Sequence, residues 1–476
     1  MSTRRRVCGR VRAASAITKA SRASVSAVLG YRSVLDPTAG GQQEAYRVAV
    51  QAFGSALTRV PGLDMIGWAP IADQVRHRRL PASGGERTVL AVQMTALADL
   101  LDTADTPHPL AGRDGGPGRG PEDRVLDHEH GYWASTARSR GLIPGVSLDT
   151  LTDAVAATVL LGAPARGEAD GLLRRVAGLV DQPYDQPYDR RDQVGAWLAS
   201  LYPSTEQGRA FAGLQPDRLA ERLVGRLILD RTRTSIVQIL AGQVSGTEAQ
   251  RWVTVCTRAA VHSVFADRVS TALTTWCAQH ADTLAAAAVQ VAPQVERPDP
   301  LLKALDQVAA DTTLDTAVLT RLVSGLPEHS QVLADCAATL TQALVTRHQQ
   351  TPTTNPATND SNLATSLNDL SLRWGGLGRR EEGLAAITEA VEAYRRLVQA
   401  RPDAFLPDLA MSLNNLSAGL GDLGRREEGL AAITEAVDIR RRLATNRPAV
   451  HQAELDQSLS VMAWLHGTDH DHTTSS

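Results

Sequence analysis

The sequence predicts an all-α protein, and three observations lead there. A 46-residue unit recurs near the C-terminus, with Leu377 returning as Leu423, and its apolar residues are spaced three and four apart. Leu/Val/Ala-rich segments of helical length fill much of the chain ahead of it. Between about residues 214 and 350 no stretch alternates apolar and polar residues with the period of two that a strand needs.

The elements follow in order. Residues 1–40 carry Arg4, Arg5, Arg6, Arg10, Arg12, Lys19 and Arg22, with no acid in the first thirty and no apolar run behind the arginines. This reads as a solvated, disordered basic tail, not a secretory signal. Segment 41–121 is a helical remnant with helices near 42–57 and 86–103, closed by a Gly-rich linker from Thr106 to Pro121. Residues 122–213 form a helical or winged-helix-like block built from Leu126–Trp133, Leu148–Leu161, Ala169–Val180 and Val194–Pro203. Residues 214–350 read as an α-helical spacer broken at Gly242, Gly246, Pro293 and Pro327. Thr351–Ser361, rich in Thr, Asn and Pro, reads as a linker. The repeats occupy 362–467, and 468–476 is a disordered tail.

The repeat is literal: Leu377-Gly-Arg-Arg-Glu-Glu-Gly-Leu-Ala-Ala-Ile-Thr-Glu-Ala-Val391 recurs letter for letter from Leu423 to Val437. Leu363, Leu367 and Leu370 shift onto Leu409, Leu413 and Leu416, then onto Leu455, Leu459 and Met462. Two full units and a terminal capping helix are therefore expected. In each, Leu367, Leu370, Trp374 and Leu377 make one helical stripe, Gly378 breaks it, and Leu384, Ile387 and Val391 open a second that runs to about Leu397. Pro402 and Pro407 are expected to mark the end of the unit. A hairpin with two apolar stripes cannot bury both alone, so neighbours must stack into a solenoid.

Composition excludes several function classes. With 49 Lys+Arg against 52 Asp+Glu, the net charge of -3 argues against a broadly cationic nucleic-acid binder. The only lysines are Lys19 and Lys303, and the skew toward arginine, with abundant alanine, matches GC-rich bacterial coding. Neither lysine follows glycine or precedes Ser/Thr, so there is no phosphate-cradling Gly-Lys-Ser/Thr step. The spacing G-x-G-x-x-G at Gly419, Gly421 and Gly424 lies inside the helical repeat and follows no strand. No His-Glu-x-x-His or Gly-x-Ser-x-Gly occurs. The four cysteines Cys8, Cys256, Cys277 and Cys336 form no C-x-x-C pair, which fits a reducing cytoplasm and small buried side chains.

The histidine-bearing stretches give no metal site. His128, Glu129 and His130 are consecutive, so their side chains diverge on a helix, and a surface or cap role is expected. His77 is expected to be solvated, and the tail from His466 to His472 lacks second-shell support. The doubled Gln182-Pro-Tyr-Asp and Gln186-Pro-Tyr-Asp reads as a loop expansion.

Ser371, Trp374, Gly378, Gly383, Ile387 and Ala390 resemble the signature positions of a tetratricopeptide repeat, although the period is longer than that family's usual one. Leu413-Asn-Asn-Leu-Ser417 is similar to the kinesin-light-chain-like group. The resemblance implies that the first helix of each hairpin lines a concave surface. On that alignment Asn368 and Asn414 point toward ligand, with Asp369 and Asn415 beside them and Asp422 near the end of the face. A primary amide can grip the main chain of an extended peptide whatever its side chains. The repeated Arg379-Arg-Glu-Glu382 is expected to support the start of the second helix.

Leu126–Trp133, Leu160–Ala163, Trp197–Pro203 and Leu214–Glu221 resemble the region that follows the ATPase core in large bacterial STAND-type (NB-ARC/NACHT-like) signalling ATPases. The P-loop half of such a protein has no match here. The resemblance implies a truncated or split member that retains the regulatory and recognition parts.

The expected function is therefore a non-enzymatic, cytoplasmic protein–protein interaction protein that binds a peptide or partner helix in a repeat groove. No catalytic residue, cofactor or metal is expected, nor is a membrane or nucleic-acid partner, and self-association would extend so short a groove. The alternatives are the regulatory part of an ATP-dependent STAND switch, and a DNA-binding regulator using a winged helix at 122–213.

Overall fold

A computed structural model of the chain describes residues 38–59, 63–80, 88–104, 120–180, 187–350 and 356–467. Among these residues there are twenty α-helices and one isolated antiparallel bridge, Ala165 to Arg209. Residues 1–37 of the expected N-terminal tail, the expected C-terminal tail, the Gly-rich linker up to residue 119 and most of the doubled Gln-Pro-Tyr-Asp lie outside the described residues, whereas residues 38–40 of that first tail already form the start of a helix. The chain divides into two compact units, Met1–Trp276 and Cys277–Ser476. The boundary falls within the stretch expected to be one spacer.

The first unit opens with α1 (Ala39–Leu57), α2 (Trp68–Val75) and α3 (Val89–Thr103), which pack together. Thr38 and Thr88 hydroxyls accept from the Gly41 and Ala91 amides, so each satisfies a donor that a helix start leaves orphaned. The Cβ of an alanine at Gly54 would lie 2.8 Å from the Ala72 methyl, so glycine sets how closely α1 and α2 approach. Next come α4 (Pro121–Ser139), α5 (Leu148–Leu161), α6 (Ala169–Arg174), α7 (Pro187–Leu201), α8 (Asp217–Leu229), α9 (Ile236–Ala241) and α10 (Gly246–Val261). The 122–213 block is helical, and the Ala165–Arg209 bridge is its only β pairing among the described residues. The chain passes along α11 (Ala266–Gln279) into the second unit.

A ladder of charges locks α4 to α8. Arg218, Arg222 and Arg226 fall on one face of α8 at steps of four and meet Glu122, Asp123 and Asp127 near the start of α4. The Arg222 Nε donates to Asp123 at 2.8 Å and Arg226 Nη1 to Asp127 at 2.7 Å. Burial pushes Asp123 up, yet Arg222 and Arg226 outweigh it and hold the carboxyl below its usual range. On the other flank of α4, Arg124 donates to Asp99 and Asp102 on α3, each at 2.5 Å.

Of His128, Glu129 and His130, the glutamate is buried and the two histidines are half-buried, so none is a free surface residue. His128 pairs with Asp102 at 2.7 Å, Glu129 is buried under Tyr202, and His130 stacks edge-on against Trp133. The helix is covered on several sides, by α3, α8 and the end of α7, so adjacent residues are buried in different directions. Their divergence is as expected; their burial is not.

The second unit begins with α12 (Ala286–Val291), α13 (Asp299–Ala310), α14 (Thr316–Ser324) and α15 (Ala334–Gln350). The repeats follow as α16 (Pro356–Gly376) with α17 (Arg380–Ala400), α18 (Pro402–Asp422) with α19 (Arg426–Asn446), and a terminal α20 (Pro448–Leu465). We call α16, α18 and α20 the A helices, and α17 and α19 the B helices. Gly378 and Gly424 take φ +77 and +75 in the tight turns between A and B, a conformation L side chains rarely adopt. The Cβ of an alanine at Gly383 would lie 2.9 Å from the Ser371 carbonyl oxygen, so this glycine fixes the close crossing of α16 and α17.

Two boundaries differ from the expected ones. Pro402 is the first residue of α18 and Pro407 lies inside it, so the prolines start the second unit and do not end the first. Proline suits a first helical position, where its missing N–H would have no partner anyway. Likewise α16 begins at Pro356, within the expected linker.

The stack also continues upstream. Starts at Ala334, Arg380 and Arg426 put α15, α17 and α19 in the same 46-residue register. Six of the eight buried residues of α15, Ala337, Leu340, Thr341, Leu344, Val345 and His348, fall one step before Gly383, Ala386, Ile387, Ala390, Val391 and Tyr394, all buried; the other two are Cys336 and Ala338. Val345 enters the core formed by Leu367, Leu370 and Ile387. With α14 packed on it, α15 makes a degenerate hairpin at the head of the repeats.

Candidate functional site

The A helices bury one side and leave another open. Steps of three and four bring Thr365, Asp369, Leu372 and Arg373 onto one stripe of α16, and the same stripe carries Met411, Asn415 and Ala418 on α18 and Gln457, Val461 and Trp464 on α20. Three large apolar side chains remain in solvent along it: Leu372 is 55% exposed, Met411 38% and Trp464 43%. The Trp464 ring lies across α18, where the Cβ of an alanine at Gly421 would come within 2.5 Å of it.

Charge is segregated between the two helix sets. The three A helices carry seven acidic residues and a single arginine, Arg373, whereas in α17 and α19 arginines and acids nearly balance. Two of the A-helix acids are half-buried. Burial pushes Asp369 up despite the pull of Arg373, and burial alone pushes Asp408 up. Burial raises the Tyr394 phenol, and the charges of Asp408 and Asp369 raise it further, while its hydroxyl meets that of Thr365 at 2.9 Å.

Of the residues expected to face ligand, Asn368 and Asn414 do not. They are 3% and 6% exposed and lie between successive A helices. The Asn368 amide oxygen accepts from Asn415 Nδ2 at 3.1 Å and from the Ser412 hydroxyl at 3.4 Å; that of Asn414 accepts from Ser458 at 3.0 Å. Each asparagine thus faces the next A helix, and an amide placed there is held by hydrogen bonds because a buried polar group without partners is costly. Asp369 and Asn415 are half-buried on the open stripe, and Asp422 is exposed at the end of α18. Asp408, Leu372, Met411 and Trp464, also on the open side of the A helices, were not among the expected residues. Their signal is their recurrence on the stripe through Asp369 and Asn415, read from the repeat register.

The glycine spacing at Gly419, Gly421 and Gly424 is also accounted for. Gly421 lies under Trp464 and Gly424 makes the turn. Arg379 pairs with Glu382, and Arg425 with Glu428, within the first turn of each B helix.

In the first unit, a concavity of about 280 Å³ opens between α6 and α7 beside Asp170, Arg191 and Phe211. Two of its charges are engaged with each other, since Asp170 accepts from Arg191 at 2.5 Å, and Asp170 also accepts from Arg174 at 2.8 Å. Cys256, Cys277 and Cys336 are buried free thiols, and Cys8 lies outside the described residues. Among the described residues, no three His, Cys, Asp or Glu are grouped to hold a metal ion, and no helix is long and apolar enough to cross a membrane.

Comparison with known families finds a tetratricopeptide repeat at residues 409–444, which spans most of α18 and α19. Repeats of this kind are typically interaction modules without catalytic groups, and the match points to a protein partner. No curated protein matches the chain.

Proposed function

We propose that the chain is a non-catalytic interaction protein that docks a segment of another protein along the open stripe of α16, α18 and α20. The observation that carries this reading is the row of exposed apolar side chains, Leu372, Met411 and Trp464, on helices that each bury a second face in the stack. Exposed apolar side chains aligned on one face of a rigid scaffold are the usual form of a docking surface. The recognition elements are Asp369, Asp408 and Asn415 with these three, while Asn368 and Asn414 hold the scaffold.

Position-specific photocrosslinking tests it. A photoreactive residue at Met411 is expected to capture a partner that one at Arg396, on the exposed side of α17, does not. Equal capture from both positions, or none from Met411, removes the proposal.

A second reading has one observation in its favour. Two of the strings that resemble the post-ATPase region of STAND proteins share one core: Trp133 Nε1 donates to the Tyr202 hydroxyl at 2.8 Å, and Trp197 Nε1 to Thr136 at 3.0 Å. On that reading the first unit is the regulatory part of a nucleotide-driven switch whose core is supplied separately. Magnesium-dependent binding of ATP by this chain alone, measured calorimetrically, would contradict it.

A further inference from the structure

We propose that the segment docked on the A-helix stripe is basic, presenting an Arg or Lys to Asp369 and Asp408 between apolar residues that seat against Leu372 and Met411. This rests on the docking reading above and adds the chemistry of the occupant.

The argument is one of charge complementarity. Asp408, Asp422 and Glu454 stand three or four residues from Met411, Ala418 and Gln457, so with Asp369 they extend the open stripe; Arg373 is its single arginine, and the side that offers apolar contacts therefore also carries net negative charge. Asp369 stands one turn after Thr365, which meets Tyr394 at 2.9 Å, and Asp408 stands one turn before Met411, the repeat counterpart of Thr365, so the two carboxylates lie on the open side of successive A helices. Among the described residues, Asp408 forms no ion pair, and Arg373 is the cation acting on Asp369. Both carboxylates are already partly stripped of water, and an arriving cation returns the interaction that burial has removed. An acidic segment would instead bring like charge onto half-buried carboxylates.

The aromatic and aliphatic side chains argue for a mixed segment and not a bare cation. Leu372 lies on the same α16 stripe as Asp369, and Met411 follows Asp408 by three residues on α18. A residue on either side of the basic one would therefore meet an apolar surface. Methionine and leucine adapt to varied apolar partners, so the cation sets the selectivity and the neighbours add area.

Fluorescence anisotropy with the full-length chain and three labelled synthetic peptides tests this: repeats of Arg-Leu-Ala, Gln-Leu-Ala and Glu-Leu-Ala. The arginine peptide should bind about tenfold more tightly than the glutamine peptide, and the glutamate peptide most weakly. Asp369→Asn and Asp408→Asn should each weaken the arginine peptide by about three- to tenfold and leave the glutamine peptide unchanged. Glu392→Gln, on the exposed side of α17, should do neither. If arginine and glutamine peptides bind equally and Met411→Arg abolishes both, the basic occupant is wrong and the docking surface stands. If no peptide binds, or if Glu392→Gln weakens the arginine peptide as much as Asp408→Asn does, the surface and its occupant are both wrong. A homodimer in sedimentation that Met411→Arg dissociates would assign the stripe to a second copy and overturn the proposal.

Discussion

The amide oxygen of Asn414 accepts a hydrogen bond from the Ser458 hydroxyl at 3.0 Å, and one 46-residue step earlier Asn368 stands in the same relation to Ser412. These bonds join successive A helices from within. Asn414→Ala should destabilise the second unit by about 1–2 kcal/mol in urea denaturation followed by circular dichroism. A double-mutant cycle with Ser458→Ala should return a coupling of about 0.5–1.5 kcal/mol. Strict additivity would show that the bond contributes nothing.

Gly419 and Gly421 sit two residues apart on α18 and should respond oppositely to alanine. At Gly421 the new Cβ would come within 2.5 Å of the Trp464 ring, whereas at Gly419 the nearest atom is Leu384 Cδ1 at 3.9 Å. Gly419→Ala should stabilise by up to about 1 kcal/mol through helix propensity, and Gly421→Ala should destabilise by about 1–3 kcal/mol. A shift of the same sign in the two melting curves would contradict this account.

Removing Arg222 should be the most damaging single change in the charge ladder. It would leave Asp123 buried with only Arg226 and strip the cation lying 4.6 Å over the Phe265 ring. Arg222→Ala is expected to lower stability by about 3–5 kcal/mol. Arg218→Ala should cost less, about 1–2 kcal/mol, because that side chain is 39% exposed and water can reach the carboxylate it leaves. Comparable losses for the two in guanidinium titrations would mean that the burial of the ladder does not govern its strength.

Glu129 should make the first unit less stable as pH rises. Burial pushes its carboxyl up to about 7, outweighing the hydrogen bonds of Tyr202 and Trp133. Between its usual range and about 7 the folded chain keeps a proton that the unfolded chain has released. The stability contributed by that proton is full at low pH and is lost as pH climbs to about 7, a fall of about 3 kcal/mol. Glu129→Gln should flatten this slope and raise the melting temperature at pH 8. Identical pH profiles for the two proteins would refute the assignment.

The hairpins were legible because the repeat is literal and its apolar residues keep helical spacing. Orientation around each helix axis was harder to read. Asn368 and Asp369 are neighbours, yet one is buried between helices and the other is half open, because one residue step turns a helix by roughly 100°. The degenerate hairpin at α14–α15 escaped notice because Thr341, Leu344 and His348 share burial, not identity, with Ile387, Ala390 and Tyr394. Packing conserves the place of a side chain more strictly than its type. The burial of His128, Glu129 and His130 depended on partners such as Asp102 and Tyr202, too distant in sequence for local spacing to reveal. The four-residue steps of Arg218, Arg222 and Arg226, against Glu122, Asp123 and Asp127, were a signal that could have been read.

Where α18 has Ala410, Asn414 and Leu420 buried, α20 has Asp456, Ser460 and His466 in solvent. Its opposite edge, with Leu455 and Ser458, keeps the packing of Leu409 and Ser412. One side of this last helix is thus written as interior and the other as boundary, which gives the stack a built-in stop. Replacing three polar side chains by their apolar or amide counterparts would make that boundary sticky, and end-to-end polymers are the form such a lesion would take.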